Sequence, residues 1–428
     1  MSDGWFKTTV GEYSPFVYGK AIKKDDQRTM GIPVYGSNGI YTYSDSALVQ
    51  QHAVIIGRKG SVGKVHLSTE KCWISDTAFY VIKDSLDESY FVYYLLSSLG
   101  LENMNTDAAV PGLNRDNAHR LEIKIPNSIE KRINLVEPLI KLDQKIHLNN
   151  QINQTLESIA QAIFKSWFID FDPVRAKIAA KLEGKNPELA AMCAISGKSE
   201  AELEQMAKED FAELQATAAL FPDELVESEL GEVPKGWELQ QFKDIAKYTS
   251  NKISLNDLNL ENYISTENML SEKKGIEKAS SLPKVNSVPA FKKGNILVSN
   301  IRPYFKKIWF SSSEGGHSND VLNFEVLEEG CEEYLYNLIY QDSFFDQMMA
   351  SSKGSKMPRG DKKAIMSFQV VIPSITLRRL YSRKVEKFYF KKNVIEKENQ
   401  ILKIIRDTLL PKLLSGEINV SSLKDKVE

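Results

Sequence analysis

Three groups of basic and hydrogen-bonding residues stand out for the chemistry that their types allow. Arg58, Lys59, Ser61 and Lys64 lie in the run GRKGSVGK (57–64). Asn300, Arg302, Tyr304, Lys306 and Lys307 lie in ILVSNIRPYFKK (296–307). Lys353, Ser355, Lys356 and Arg359 surround Gly354 and Pro358, and Asn114 and Arg115 follow Pro111 earlier in the chain. Guanidinium forks and ammonium groups suit phosphate oxygens, Arg and Asn match guanine and adenine edges, and glycines permit close backbone approach. For any one cluster a solvated charged face is the plainer reading. Recurrence of the same types at matching positions of a repeat points instead to a surface that contacts a polyanion.

Other chemistries lack their residues. The phosphate-loop pattern needs a glycine where Arg58 stands and Ser or Thr where Val65 stands. No two prolines are adjacent, which excludes the Pro-Pro-aromatic loop of DNA amino-methyltransferases. No Asp…Glu-x-Lys cluster follows a strand as in a restriction-type nuclease. The five histidines (52, 66, 119, 147, 317) lack metal-ligand spacing. Cys72, Cys193 and Cys331 are too few and too far apart for a disulfide framework. Asp170 and Asp172 fit a helix end better than acid–base work. The expectation is a chain without catalytic residues or a metal.

The elements that must position these groups follow from the rest of the chain. Its 428 residues allow two to four domains. The net charge of −2 argues against an indiscriminate polycation, yet it is unevenly spread. Residues 1–169 carry 18 basic and 18 acidic groups, 170–235 carry 7 and 15, and 236–428 carry 30 and 24. No apolar run reaches the ~18 residues of a membrane span, and the first residues lack a signal-peptide pattern. A soluble cytoplasmic protein is expected.

The order of features repeats. Gly4-Trp5 returns as Gly236-Trp237, AVIIGRKG (53–60) as ILVSNIRPYFKK with Arg58 matched to Arg302, and ISDTAFYVI (74–82) as SNDVLNFEVL (318–327). Helical stretches over 88–99 and 332–345 come next, then LEIKIP (121–126) and FQVVIP (368–373), strand-like and closed by proline. Each copy ends in a long heptad-patterned helix. Leu135, Leu142, Asn149, Leu156 and Ile163 fall seven apart, beside Leu139, Ile146, Ile152 and Ile159. In the second helix Phe388, Ile395, Leu402 and Leu409 do so, flanked by Val394, Ile401 and Ile405. Asn149 is a polar seam residue suited to fixing register. Between the copies 172–229 reads as helices, KIAAKLEG and then one stretch from Ser199 to Pro222, with SELGEVPKGW (228–237) as a boundary.

Three segments then carry a resemblance: SIAQAIFKSWFIDFDPV (158–174), FPDELVESELGEVPKGW (221–237) and LLPKLLSGEI (409–418). With them the chain resembles, over essentially its whole length, the specificity subunit of type I restriction-modification enzymes. The resemblance implies two target recognition domains that each read one part of a bipartite double-stranded DNA site. It implies helices that set half-site spacing and dock two methyltransferase subunits, joined by restriction/translocase subunits. S-adenosylmethionine, ATP and Mg would then act on those partners. The helix starts PNSIEKRI (126–133) and PSITLRRL (373–380) depart from the family's usual proline-rich pattern.

The expected fold is α+β: two repeated β-rich recognition domains with small helices, separated by two long antiparallel coiled-coil helices with pseudo-twofold symmetry. The expected divisions are 1–128 and 236–375 for recognition, 129–168 and 376–428 for helices and tail, and 169–235 for the acidic connector. Two alternatives stay open: a coiled-coil scaffold binding proteins, and a self-contained DNA methyltransferase or nuclease.

Overall fold

The computed structural model describes residues 4–104, 112–352, 354 and 356–418. The chain divides into two compact units, 1–150 with 396–428 and 151–395.

In unit 1 the order is β1 (Trp5–Thr9), α1 (Val10–Tyr13), β2 (Val17–Tyr18), β3 (Ile32–Gly36), β4 (Gly39–Ser44), β5 (Ala53–Gly57), β6 (Val65–Ser68), β7 (Trp73–Ile74) and β8 (Ala78–Val81). Then come α2 (Leu86–Ser98), α3 (Arg115–His119), β9 (Glu122–Pro126) and α4 (Ile129–Phe168). Sheets run β2-β8-β5-β6, β4-β3-β7 and β1-β9. Strand β5, AVIIG, is buried throughout, as expected of a central strand covered on both faces. Its Val54 and Ile56 pack in one core with Phe91 and Leu95 of α2 and Leu135 and Leu139 of α4.

In unit 2, α5 (Asp172–Leu182), α6 (Pro187–Ser196), α7 (Glu200–Glu204) and α8 (Lys208–Ala218) precede β10 (Leu225–Ser228), β11 (Gly231–Pro234), β12 (Glu238–Gln241), β13 (Ala246–Tyr248), β14 (Lys252–Ser254), β15 (Tyr263–Ile264), β16 (Ser287–Phe291) and β17 (Ile296–Ser299). There follow β18 (Ile308–Phe310), β19 (Gly315–His317), β20 (Val321–Val326), α9 (Glu332–Tyr340), α10 (Asp342–Ala350), α11 (Lys362–Met366), β21 (Gln369–Ile372) and α12 (Ile375–Leu414). The sheet β13-β20-β17-β18 repeats β2-β8-β5-β6, and β12-β21 repeats β1-β9. The expected duplication is therefore present at the level of strand order.

Each copy fastens its long helix with a buried arginine. Ser128 and Ser374 cap the two helix starts, accepting from the N–H groups of Lys131 and Leu377. Four residues on, Arg132 donates Nε to the Pro126 carbonyl (2.9 Å) and Nη1 to Glu88 (2.9 Å), and lies over the Tyr13 ring. Arg378 repeats the arrangement with the Pro373 carbonyl, Glu328 and the Tyr334 ring. The departures PNSIEKRI and PSITLRRL thus share a working helix start.

The paired helices run antiparallel where they meet in each unit. In unit 1 Asp143 pairs with Arg406 at 2.8 Å, and buried Asn149 donates to Glu398 and Asn399, both at 2.8 Å. In unit 2 Glu157 pairs with Lys392 at 2.6 Å, and Tyr381 donates to the Ala160 carbonyl. Asn149 therefore occupies the seam, as expected. Of the neighbouring positions, Leu139 and Ile146 are buried as expected, and others need correction. Buried residues of α4 recur at Leu139, Ile146, Asn153, Ala160 and Trp167, whereas Ile159 is exposed. On α12 the buried residues include Tyr381, Val385, Tyr389, Ile395, Asn399 and Leu413, whereas Val394, Ile401 and Ile405 are exposed. Apolarity alone misplaces these residues, because the seam accepts polar Asn153 and Asn399.

Two further expectations are corrected. The helix expected over 332–345 is two, α9 and α10, broken at Gln341. The connector expected to be helical to 229 has α7 and α8 in place of one helix from Ser199, and its end enters the β10–β11 hairpin, Leu225 opposite Pro234. The resemblance segment FKSWFIDF is core. Phe164, Trp167, Phe168 and Phe171 pack with Phe221, Tyr334 and Tyr381, edge-on where Trp167 meets Phe221. Lys177, buried in the connector, holds it by donating to Glu188 (2.7 Å) and the Phe221 carbonyl (2.8 Å).

Glu333 on α9 gives a pH signature. Burial, with Glu332 and Glu386 nearby, pushes its carboxyl from 4.5 up to about 7. Between those values the folded chain holds a proton that the unfolded chain has lost, so stability falls as pH rises through this window and is level above it. Glu333→Gln should flatten the decline and stabilise unit 2 at pH 8 by on the order of 3 kcal/mol at most. Chemical unfolding of both chains from pH 4 to 8 checks this, and identical slopes would contradict it.

Candidate nucleic-acid interface

The first cluster sits on the turn from β5 to β6. The turn is closed by hydrogen bonds from the Gly57 N–H to the Lys64 carbonyl and from the Gly63 N–H to the Gly57 carbonyl, both 2.8 Å. A Cβ at Gly57 would lie 2.1 Å from the Ser61 carbonyl oxygen, and Gly60 has φ +80°, so both positions require glycine. The Arg58 carbonyl accepts from the Leu113 N–H, and Lys59 bridges to Gly112. Strand pairing thereby brings residues 58–59 beside 112–113, a neighbourhood that the sequence did not indicate.

At that junction a residue absent from the sequence expectations appears. The Arg58 guanidinium carbon is 4.9 Å from the centre of the Tyr18 ring, and that of Arg115 is 5.1 Å from the same centre. Tyr18, 44% exposed, is carried on β2 opposite Phe79. Arg58 Nη1 donates to the Asp76 carbonyl at 3.2 Å. Lys64 donates to Asn38 at 2.8 Å, Lys59 is exposed, and Ser61 is half-buried. Asn114 Oδ1 accepts from the Asn117 N–H and caps α3, so this oxygen serves the fold.

The second unit builds the corresponding turn differently. Asn300 is buried, donating Nδ2 to the Gly360 carbonyl at 3.2 Å, and is withdrawn from solvent. Ile301 bridges to Arg359, and the Arg302 N–H donates to the Pro358 carbonyl. Lys306 pairs with Asp342 at 3.1 Å. Lys307 turns inward to the Thr266 carbonyl at 2.7 Å, and burial pushes its ammonium group below the ordinary lysine range. Tyr304 is exposed and packs on Phe305, Lys356 is exposed, and Arg359 pairs with Asp320 at 3.1 Å. Lys353, Ser355 and Pro111 lie outside the described residues.

These contacts correct the matching of the two copies. The bridge of Lys59 with Gly112 corresponds to that of Ile301 with Arg359, and β5–β8 registers on β17–β20 with Gly57 at Ser299. Arg58 is therefore matched by buried Asn300, and Arg302 by Gly60. Both Arg302 and Gly60 have positive φ, +51° and +80°. Asn114 matches Asp361, the cap of α11, and Arg115 matches Lys362. The fold repeats while the side chains at the loops do not. Among the described residues no group of three His, Cys, Asp or Glu is placed to hold a metal ion, and no helix is long and apolar enough to cross a membrane.

A duplicated α+β domain, each copy tied to a long helix and presenting its own cationic and aromatic loop residues, defines a recognition chain built on paired helices. Comparison with known proteins specifies which. Residues 2–158 match the family described as type I restriction modification DNA specificity domain. The chain is 34% identical over 338 residues to the type I restriction enzyme HindI specificity subunit of Haemophilus influenzae, covering 72% of this chain and 71% of that one. It is 24% identical over 349 residues to the MjaIX specificity subunit of Methanocaldococcus jannaschii, covering 78% and 70%. The crystal structure of a type I restriction-modification S subunit from M. genitalium has the same fold, with a TM-score of 0.51 and 15% identity over 96% of this chain and 97% of that one. The chain belongs to the family of type I restriction enzyme specificity subunits.

Proposed function

We propose that this chain reads a bipartite duplex DNA site, unit 1 taking one half and unit 2 the other, without catalysing a reaction itself. The observation that carries this reading is the pairing of one strand order with unlike loop residues: Arg58 and Arg115 in the first copy stand where Asn300 and Lys362 stand in the second. A common scaffold with different side chains at its loops is what two unlike half-sites require. On this reading 1–128 and 236–375 are the recognition domains, and 129–168 and 376–428 set the spacing, with 169–235 connecting them. Lys59, Lys64, Lys356 and Tyr304 are exposed or partly so and contact phosphates. Arg58, Arg115, Arg302 and Arg359 are the groups that read bases.

The helices also carry apolar side chains turned to solvent. Phe390 (67%) and Val394 do so in unit 2, and Leu148, Ile401 and Ile404 (66%) in unit 1. Exposed apolar side chains recurring along a helix suit partner helices or grooves, here two methyltransferase subunits with the restriction subunits joining them. S-adenosylmethionine, ATP and Mg act on those subunits, in the cytoplasm.

The test is selection from a library of random duplexes at ~0.15 M salt, with the methyltransferase subunit present. A split motif enriched about 10³-fold or more over random sequence is expected. Uniform recovery of all sequences would sink the proposal.

A further inference from the structure

In unit 1 the two arginines nearest the turn are not independent surface charges. Arg58 on the β5–β6 turn and Arg115 at the start of α3 converge on one ring, Tyr18, at 4.9 and 5.1 Å. Their charges lie within about one Debye length of each other at 0.1 M salt, where like charges repel. The negative face of the tyrosine ring offsets that repulsion and favours both guanidinium groups close to it. Strand pairing fixes the ring, since Tyr18 sits opposite Phe79 and packs edge-on against it at 4.9 Å. The backbone fixes Arg58 through the Thr77 carbonyl and Leu113 N–H, and the Asn114 cap fixes the helix that carries Arg115.

The bonding pattern leaves a defined edge. Arg58 gives Nη1 to the Asp76 carbonyl, so its second in-plane edge, Nε with Nη2, carries the parallel pair of donors that matches two adjacent acceptors. Arg115 is tied only loosely, Nε to the Asp116 carboxylate at 3.4 Å on an exposed pair. Guanine offers O6 and N7 side by side in the major groove, and a planar, pre-set fork is the side chain that reads them. A phosphate asks less of geometry, and Lys59, exposed beside this group, serves that purpose.

Resting on the proposed function, we propose that Tyr18, Arg58 and Arg115 form the guanine-reading element of unit 1, Arg58 and Arg115 contacting the base and Tyr18 acting as a positioning residue. Unit 2 lacks the element, because buried Asn300 occupies the place of Arg58.

The experiment uses the full chain, its methyltransferase partner and a duplex library randomised in both half-sites, with bound sequences read out. Tyr18→Ala and Arg58→Ala should each reduce guanine preference at one or two positions of one half-site by roughly tenfold or more. Tyr18→Phe should retain the preference, since the ring face is kept. Lys59→Ala should weaken all sequences equally. The unaffected half-site serves as the folding control within each molecule. Undiminished guanine preference in Tyr18→Ala, or a loss spread evenly over all sequences as for a phosphate contact, would overturn the assignment while leaving the proposed function standing. Absence of any preference in the wild-type chain would overturn both.

Discussion

Replacing Arg132 by alanine is expected to destabilise unit 1 by about 3–5 kcal/mol, the cost of breaking a buried ion pair from one side. The arginine donates to Glu88, to the Pro126 and Asn127 carbonyls and to the Tyr13 hydroxyl, so several acceptors lose their partner together. Both members of the pair are nearly excluded from water, with side-chain exposures of 9% and 11%. Among the described residues, Glu88 on α2 would be left buried with the Tyr13 hydroxyl at 3.2 Å as its remaining side-chain hydrogen-bond donor. Arg132→Met should cost nearly as much although its volume is similar, because the carboxylate remains. Arg132→Met with Glu88→Leu should recover most of the loss, since an apolar pair needs no compensation. Hydrogen exchange of the α2 and α4 amides in the full chain reads this without assuming that both units unfold together. If Arg132→Ala costs the same with and without Glu88, the ion pair is not what fastens the helix. The matched residue Arg378 should behave alike in unit 2, and the two effects should add.

The second large effect concerns spacing. Joint deletion of residues 151–157 from α4 and 392–398 from α12 removes one heptad from each helix. Both seams stay in phase, because burial recurs every seven residues from Leu139 to Trp167. At 1.5 Å per residue each helix shortens by about 10 Å, or about three base pairs of B-DNA. On the proposed reading the selected motif should keep both half-sites and lose about three base pairs between them. Deletion of two residues from each helix, about 200° of helical rotation, should instead turn the seam to the wrong face and abolish assembly. A motif of unchanged spacing after the heptad deletion would show that the helices do not measure the site.

Much of the framework was legible in the sequence because it is written in local patterns. LEIKIP and FQVVIP are alternations stopped by proline, and they became β9 and β21. Gly4-Trp5 and Gly236-Trp237 lie at the starts of β1 and β12, Trp5 as the first residue of β1 and Trp237 just before β12, both glycines with positive φ. The heptads predicted two long helices, and each is 40 residues. The face they pack was less legible. Ile159 and Ile401 look like seam residues by type, yet Asn153 and Asn399 are buried in the seam instead. Asn399 is tied into hydrogen bonds with Asn149 and Asn150, a cross-helix pairing that neither helix shows alone.

The sequence by itself determined that two copies of one domain exist, where the helices run, and which cationic residues crowd the loops, since repeat order, periodicity and residue type need no neighbours to be read. Only the tertiary structure decided what each of those side chains contacts. Asn300 and Lys307 looked like Arg58 in a list of polar loop residues, but the first bonds inside to Gly360 and the second to Thr266, while Arg58, partly exposed, lies by the Tyr18 ring. Tyr18 carried no local signal, because its role depends on β2 pairing with β8 and on α3 returning to the same edge. A side chain's chemistry is set by what strand pairing brings beside it, and those partners lie far along the chain.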